Sequence, residues 1–160
     1  MNLAAEVIEL LRAKGWKLAT AESCTGGMVA VAITDIAGSS DVFDRGFVSY
    51  SNLSKAEMLG VVPALIATHG AVSAQVARAM AEGALLYSKA QISVAITGVA
   101  GPGGGSLEKP VGLVHFAVAA HESATMHREM NFGKLDRNEI REQARDFALQ
   151  MLSDQLKALP

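Results

Sequence analysis

The sequence has little that would cross-link it or bind a metal. Among its 160 residues are one cysteine, Cys24, and four histidines that are scattered along the chain. A single cysteine excludes an intrachain disulfide and fits a reducing compartment. One cysteine and scattered histidines also give no metal-ligand spacing. We therefore expect a cytoplasmic protein whose site holds no metal and no cofactor.

Long apolar runs and a strong charge of one sign are missing as well. No apolar run is long enough to span a bilayer, and the N-terminus lacks the basic and apolar segments of a secretory signal. The formal net charge is −2, so we expect no nucleic acid and no membrane as a partner. Aromatic residues make up 5%, whereas hydrophobic residues make up 50%. This composition is typical of a compact α/β protein packed with small side chains.

The patterns that are present predict one domain over residues 1–160. Strands separated by helices favour a parallel sheet, but the last two strands have the pattern of a hairpin. We therefore predict an α/β fold with a mixed, mostly parallel sheet of about five strands and helices on both faces. The predicted strands are 17–21, 45–50, 92–96, 111–120 and 125–132, and the predicted helices are 3–14, 25–34, 53–59, 63–70, 73–90 and 136–159.

The stretch Thr20-Ala-Glu-Ser-Cys-Thr-Gly-Gly27 lies where the first predicted strand gives way to the second helix. A nucleophile at Ser23 would lie beside the unpaired N–H groups at the start of that helix, which can stabilise an oxyanion. The two glycines would let a substrate approach the backbone closely. The alternative is that Ser23 or Thr25 only caps the helix, which is the commoner use of such residues.

Cys24 is a rival nucleophile because it adjoins Ser23. A cysteine hydrolase normally pairs its thiol with a histidine, and no histidine of this sequence lies in a stretch that obviously faces the junction. We therefore interpret Cys24 as a small, buried, apolar side chain.

Lys55 follows the second predicted strand, close to Tyr50 and Asn52. If Asn52 caps the next helix, Lys55 lies in its first turn, where the positive helix end and partial burial would lower the pKa of the amine. If the first two strands are parallel, Ser23, Tyr50 and Lys55 share the carboxyl edge of the sheet. A Ser–Lys pair, with Tyr50 orienting it or relaying a proton, is a workable acyl-transfer site. The alternative is a surface lysine without a role.

Thr97-Gly-Val-Ala-Gly-Pro-Gly-Gly-Gly105 is the clearest loop by composition. It is neither a Walker A loop nor a dinucleotide fingerprint, because the required residues do not follow its glycines. Its backbone amides are suited to hold an anion, with Thr97 as a further donor, although it is alternatively a flexible crossing between two strands. Arg137, Arg141 and Arg145 share one stripe of the last helix. They form either a solvated charged face or a clamp for phosphate or carboxylate.

Three motifs in this order resemble the C-terminal domain family of the competence-damage protein CinA: Ala21–Gly27, Arg45–Lys55 and Thr97–Gly104. The resemblance covers nearly the whole chain and implies a three-layer α/β/α sandwich, commonly a homodimer. Stand-alone members deamidate nicotinamide mononucleotide to nicotinate mononucleotide and ammonia in pyridine-nucleotide salvage. The separate N-terminal domain of longer members is absent here, so the resemblance implies a stand-alone enzyme.

The resemblance also implies site residues. Ser23 would be the nucleophile, Lys55 the base and Tyr50 its helper. Many members have Gly-Asp-Arg before the last helix, and two extra residues here make Arg141 the alternative to Arg137. A non-catalytic nucleotide-binding module is the alternative function, although it has no need of a nucleophile–base pair. The implied substrate-binding residues are Thr25, Gly26, Gly27, Thr97, Gly98, Gly101, Gly103, Gly104, Arg137 and Arg141.

Overall fold

The computed structural model describes residues 2–160. Over these residues the strands are β1 (Leu18–Glu22), β2 (Phe43–Val48), β3 (Ile92–Gly98), β4 (Leu113–Ala120) and β5 (Met126–Asn131). The α-helices are α1 (Leu3–Lys14), α2 (Met28–Thr34), α3 (Asn52–Leu59), α4 (Pro63–His69), α5 (Ala74–Leu86) and α6 (Arg137–Ala158). α1 precedes β1, α2 lies between β1 and β2, α3 to α5 lie between β2 and β3, and α6 follows β5.

The five strands of the described chain form one mixed sheet in the order β2-β1-β3-β4-β5. β1 pairs in parallel with both β2 and β3, whereas β4 is antiparallel to β3 and β5. Strands β1, β2, β3 and β5 therefore run in one direction, and only β4 runs in the other. The predicted mixed, mostly parallel sheet is confirmed, with β3 at its centre.

Helices cover both faces of the sheet, because successive side chains of a strand point to opposite faces. Ile92, Val94 and Ile96 of β3 belong to a core cluster with α1, α2 and α6. Ala95 belongs to a second cluster, which contains residues of α3, α4 and α5. The sheet is lined on this second side mainly by alanine, so α5 packs close to it. The three-layer α/β/α sandwich is confirmed.

The start of α2 differs from the prediction. The sequence predicts a helix from residue 25, but the helix begins at Met28. Gly26 and Gly27 have φ angles of 56° and 109°, which a right-handed helix does not accommodate. Residues 23–27 therefore form a separate turn between β1 and α2, called the nucleophile turn below because Ser23 is the predicted nucleophile. Its two glycines make this backbone conformation possible.

Boundaries of other elements differ as well. β2 spans Phe43–Val48 rather than 45–50, so Tyr50 lies in the connection after the strand. β3 continues through Thr97 and Gly98, because these residues still pair with His115 and Val114 of β4. The helix predicted over 73–90 ends at Leu86.

Candidate active site

The parallel strands β1, β2 and β3 end at one edge of the sheet, and a cavity of about 280 Å³ opens there. The carboxyl edge of parallel strands is where α/β proteins collect ligands. The α4–α5 connection also contributes Ala71 and Val72, for which the sequence carries no signal because they are small apolar residues far from every motif. The predicted site residues that line the cavity are Ser23, Tyr50, Lys55, Thr97, Gly98, Gly101, Gly103, Gly104 and Arg137.

Lys55 and Ser23 are in direct contact at this cavity. The Lys55 side chain is buried with 1% of the residue exposed, and its Nζ lies 3.1 Å from Ser23 Oγ. Nζ also donates to the backbone carbonyl of Tyr50 at 2.9 Å, and Ser23 Oγ donates to the same carbonyl at 3.3 Å. Burial lowers the pKa of Lys55. The amine is therefore biased toward the neutral form that can accept a proton.

The position of Lys55 depends on how α3 begins. Ser51 caps this helix, because its hydroxyl accepts the Ser54 N–H at 3.0 Å. Asn52 is therefore not the cap but the first helical residue, and it lines the cavity. Lys55 still lies in the first turn, as predicted. Burial, rather than the helix end, is the main cause of its lowered pKa.

Glu22 fixes the nucleophile turn from the side of α2. Its carboxylate is buried and accepts hydrogen bonds from the Thr25 hydroxyl at 2.7 Å and from the N–H groups of Val29 and Ala30 at 2.9 and 3.1 Å. Two N–H groups at the start of α2 are therefore bonded to Glu22. This corrects the expectation that the start of α2 would be open to a substrate at Ser23.

Arg141 fixes the same turn from the side of α6. Its Nε donates to the Cys24 carbonyl at 3.0 Å, and its Nη2 donates to the Thr25 carbonyl at 3.4 Å. Arg141 and Thr25 are not among the residues that line the cavity within the described chain. Gly26 and Gly27 line a different groove, of about 540 Å³, between α1, α2 and α6. The structure thus separates these four residues from the other predicted binding residues.

Arg137 bridges the mouth of the cavity. Its Nη1 donates to the Gly101 carbonyl at 2.6 Å, and its Nη2 donates to the Tyr50 hydroxyl at 3.0 Å. Tyr50 is 57% exposed, so its ring lies at the entrance while its carbonyl contacts Lys55. Of the two arginines considered as ligand contacts, Arg137 lines the cavity.

Thr97 lies in β3 rather than in the glycine loop, and it is almost fully buried. Its hydroxyl donates to the Ala71 carbonyl at 2.9 Å, which ties the α4–α5 connection to the end of the central strand. The glycine loop that follows Thr97 lines the cavity. Gly103 has open space where a side chain would begin, so this part of the loop leaves room for a ligand.

Cys24 is buried, as predicted, with 5% exposed. Burial raises the pKa of its thiol to about 12, and the charge of Glu22 contributes in the same direction. A thiol that stays protonated is a poor nucleophile. Within residues 2–160, no three His, Cys, Asp or Glu side chains are grouped to hold a metal ion. No helix in that part of the chain is long and apolar enough to cross a membrane.

A profile of the CinA C-terminal domain matches residues 1–156 of the chain. The nicotinamide-nucleotide amidohydrolase PncC of Escherichia coli (strain K12) is 52% identical over 155 residues, which cover 97% of this chain and 93% of that protein. A CinA-like protein of Anaeromyxobacter dehalogenans (strain 2CP-C) is 50% identical over 146 residues, which cover 91% of this chain and 35% of that protein. The crystal structure of the competence/damage inducible protein CihA from Agrobacterium tumefaciens has a TM-score of 0.94 and 52% identity, covering 97% of this chain and 93% of that one. The chain therefore belongs to the CinA C-terminal domain family.

Proposed function

We propose that this protein is an amidohydrolase that deamidates nicotinamide mononucleotide to nicotinate mononucleotide and ammonia. The activity named for the Escherichia coli relative supports this substrate, because the similarity extends over 97% of the chain. The observation that carries the chemistry is the buried Lys55 amine, 3.1 Å from Ser23 Oγ at the cavity. A nucleophile in contact with a desolvated base is the arrangement that acyl transfer requires.

In the first half of the reaction, Ser23 Oγ attacks the carboxamide carbon while Lys55 takes the hydroxyl proton. The C–N bond then breaks, and the protonated amine of Lys55 returns that proton to the leaving nitrogen, so ammonia departs and an ester on Ser23 remains. The Tyr50 carbonyl assists by holding Nζ at 2.9 Å beside the hydroxyl. We assign Tyr50 this orienting role, with its hydroxyl directed to Arg137 instead.

In the second half, water replaces ammonia in the cavity. Lys55 takes a proton from this water, the resulting hydroxide attacks the ester carbon, and the bond to Ser23 Oγ breaks. The same proton then returns to Oγ, and the nicotinate group is released as the carboxylic acid, which ionises in water. One base therefore serves both halves, as microscopic reversibility requires.

We assign substrate binding to the remaining wall of the cavity, outside the Ser23–Lys55 pair. Arg137 is the cation at the cavity mouth, and a guanidinium matches the geometry of a phosphate group. The glycine loop, with Gly98, Gly101, Gly103 and Gly104, offers backbone amides close to the ligand. Thr97 supports this wall through the Ala71 carbonyl. Thr25, Gly26 and Gly27 are part of the nucleophile turn, and Arg141 supports that turn from the side of α6.

The direct test is to incubate purified protein with nicotinamide mononucleotide and to measure both products. We expect stoichiometric ammonia, by a coupled glutamate dehydrogenase assay, and nicotinate mononucleotide, by chromatography. Turnover should persist after dialysis against EDTA, because no step above uses a metal. The Ser23→Ala variant is the matched control for contaminating amidase.

Two results would contradict the proposal. Saturable binding of the nucleotide without ammonia release would favour the nucleotide-binding module instead. Activity that disappears with EDTA and returns with a divalent cation would require a different mechanism.

A further inference from the structure

Glu22 is a carboxylate buried next to the nucleophile, and the catalytic steps above do not use it. Only 1% of the residue is exposed. A buried carboxylate is strongly unfavourable unless hydrogen bonds compensate for the lost water. Within residues 2–160, the Glu22 carboxylate accepts from three donors: the Thr25 hydroxyl and the N–H groups of Val29 and Ala30. All three belong to the nucleophile turn or to the first turn of α2.

Hydrogen bonds hold the nucleophile turn at both of its ends, one end to β3 and the other to Glu22. Ser23, at the start of the turn, follows Glu22 directly, and its own N–H donates to the Ile96 carbonyl of β3 at 3.0 Å. Val29, just after the end of the turn, is bonded to the Glu22 carboxylate. The two ends of the turn are therefore held to the edge of the sheet. This leaves Ser23 Oγ little freedom to move away from Lys55.

We propose that Glu22 is a positioning residue for the reaction: its carboxylate holds the nucleophile turn so that Ser23 Oγ stays in contact with Lys55 Nζ. This inference rests on the proposed function, because it assumes that Ser23 attacks. A shift of about 1 Å at a reacting group costs on the order of 10²-fold in rate. Glutamine at position 22 has nearly the same shape, but in either orientation its NH₂ group would face one N–H group, of Val29 or of Ala30, that now bonds to an oxygen. The turn would then have to move.

The chain offers a matched pair of threonines for the test. Thr20 and Thr25 are both 0% exposed. The Thr25 hydroxyl donates to Glu22, whereas the Thr20 hydroxyl has no hydrogen-bond partner among residues 2–160. Thr25→Val and Thr20→Val therefore make the same change in shape, but only the first removes a hydrogen bond to the carboxylate. Thr25→Ser keeps that hydroxyl and serves as the conservative rescue.

The experiment uses the full chain and two readouts in each variant. The first is the rate at which an alkyl fluorophosphonate labels Ser23, located by peptide mass spectrometry. The second is kcat and KM for nicotinamide mononucleotide. Far-ultraviolet circular dichroism and thermal melting establish that each variant is folded. Labelling measures the reactivity of Ser23 without reference to the natural substrate.

We expect Glu22→Gln to lower the labelling rate and kcat by about 10²-fold with an unchanged KM. Thr25→Val should lower both rates in the same sense, while Thr25→Ser and Thr20→Val keep them near the wild type. A folded Glu22→Gln variant that labels and turns over at the wild-type rate overturns the inference. If Glu22→Gln does not fold, the threonine pair decides: a loss in Thr25→Val alone supports the inference, and equal rates overturn it.

The two readouts also separate this inference from the proposed function. A wild-type protein that labels at Ser23 but releases no ammonia contradicts the proposed substrate, and the role of Glu22 is then judged on labelling alone. If the wild-type protein releases ammonia but is not labelled at Ser23, the role of Glu22 is judged on kcat alone. If neither occurs, both the proposed function and the inference are wrong.

Discussion

At the scale of single residues, the burial of Lys55 disfavours its charged form and so favours the role of base proposed for it. An amine in a low-dielectric site is costly in its charged form, and the Lys55 side chain is nevertheless buried at the edge of the sheet. The Tyr50 carbonyl and Ser23 Oγ can accept both N–H bonds of a neutral amine but only two of the three N–H bonds of an ammonium. The proposed base is therefore held where its charged form is less favourable than that of a surface lysine.

Replacing Lys55 by arginine separates a basic role from an electrostatic one. A guanidinium keeps the positive charge but does not give up its proton, so Lys55→Arg should lose about 10²–10⁴-fold in kcat. In the wild type the rate should rise with pH as Lys55 loses its proton, through a pKa below the ordinary 10.5. Steady-state kinetics across pH measure both effects. The control is Lys89→Arg at an exposed lysine, and an active Lys55→Arg variant with an unchanged pH profile would contradict the role as base.

The same lowered pKa makes stability depend on pH. The unfolded chain holds the Lys55 proton up to about 10.5, whereas the folded chain releases it at lower pH. The unfolded state therefore binds more protons between these two values, and the free energy of unfolding should rise with pH across that window. Lys55→Met removes this group, so the difference in stability between wild type and variant should change in favour of the wild type as pH rises. Urea titrations at several pH values measure this difference, and a constant difference would contradict it.

The adjoining serine and cysteine should differ sharply on mutation. We expect Ser23→Ala to abolish deamidation with the fold intact, because the hydroxyl in contact with Lys55 is lost. Cys24→Ala should retain substantial activity, since burial raises the pKa of this thiol to about 12 and keeps it protonated. Product assays on both variants, with iodoacetamide treatment of the wild type, test the assignment. Loss of turnover in Cys24→Ala but not in Ser23→Ala would transfer the role of nucleophile to the thiol.

At the scale of elements, the small residues of α5 explain how the second helical layer packs. Ala77, Ala81 and Ala84 are fully buried, and they face a sheet surface that is itself rich in alanine. Small side chains on both sides allow the helix and the sheet to approach closely. Gly83 serves the same purpose toward α3, since a Cβ there would lie 2.0 Å from the Leu59 carbonyl oxygen.

Gly83→Ala should therefore destabilise the protein although alanine is the better helix former. The gain in helix propensity is about 1 kcal/mol, whereas the clash with a backbone carbonyl requires α3 and α5 to separate. We expect a lower melting temperature by differential scanning calorimetry. Gln75→Ala, at an exposed position of the same helix, is the control and should be neutral or slightly stabilising. A Gly83→Ala variant as stable as the wild type would show that this contact relaxes freely.

At the scale of the whole molecule, one sheet joins the two hydrophobic clusters. α1, α2 and α6 pack on one face, and α3, α4 and α5 pack on the other. Because β3 contributes to both clusters, neither face can lose its packing without exposing the sheet that supports the other. This arrangement favours the single domain that the sequence predicts.

We accordingly expect one cooperative unfolding transition. Trp16 is the sole tryptophan, and it packs against the cluster of α1, α2 and α6, so its fluorescence reports on one face. Far-ultraviolet circular dichroism reports on helices of both faces, and the two urea curves should coincide. Separate midpoints would show that the two faces unfold independently rather than as one domain. Light scattering on the same samples tests the homodimer, which stays a prediction.

The sequence alone determines the layer order and brings Ser23, Tyr50 and Lys55 together at the site. Hydrophobic periodicity sets each helix and strand, and the helix-separated strands followed by a hairpin specify a mixed sheet. Polar residues that follow strands β1 and β2 then fall at one edge, which is why Ser23, Tyr50 and Lys55 are predicted together. These are local properties, so neighbouring residues suffice to reveal them.

Only the tertiary structure decides which hydrogen-bond donors and acceptors pair with one another. The Glu22 carboxylate accepts hydrogen bonds from the N–H groups at the start of α2, and Arg141 donates to the carbonyls of the nucleophile turn. The spacing of these residues in the sequence does not predict either set of hydrogen bonds. Tyr50 directs its carbonyl to Lys55 and its hydroxyl to Arg137, although both groups belong to one residue. The physical reason is that hydrogen bonds in a buried site depend on which atoms the packed helices and strands bring within about 3 Å. Those distances are fixed by the whole fold and by no single stretch of the chain.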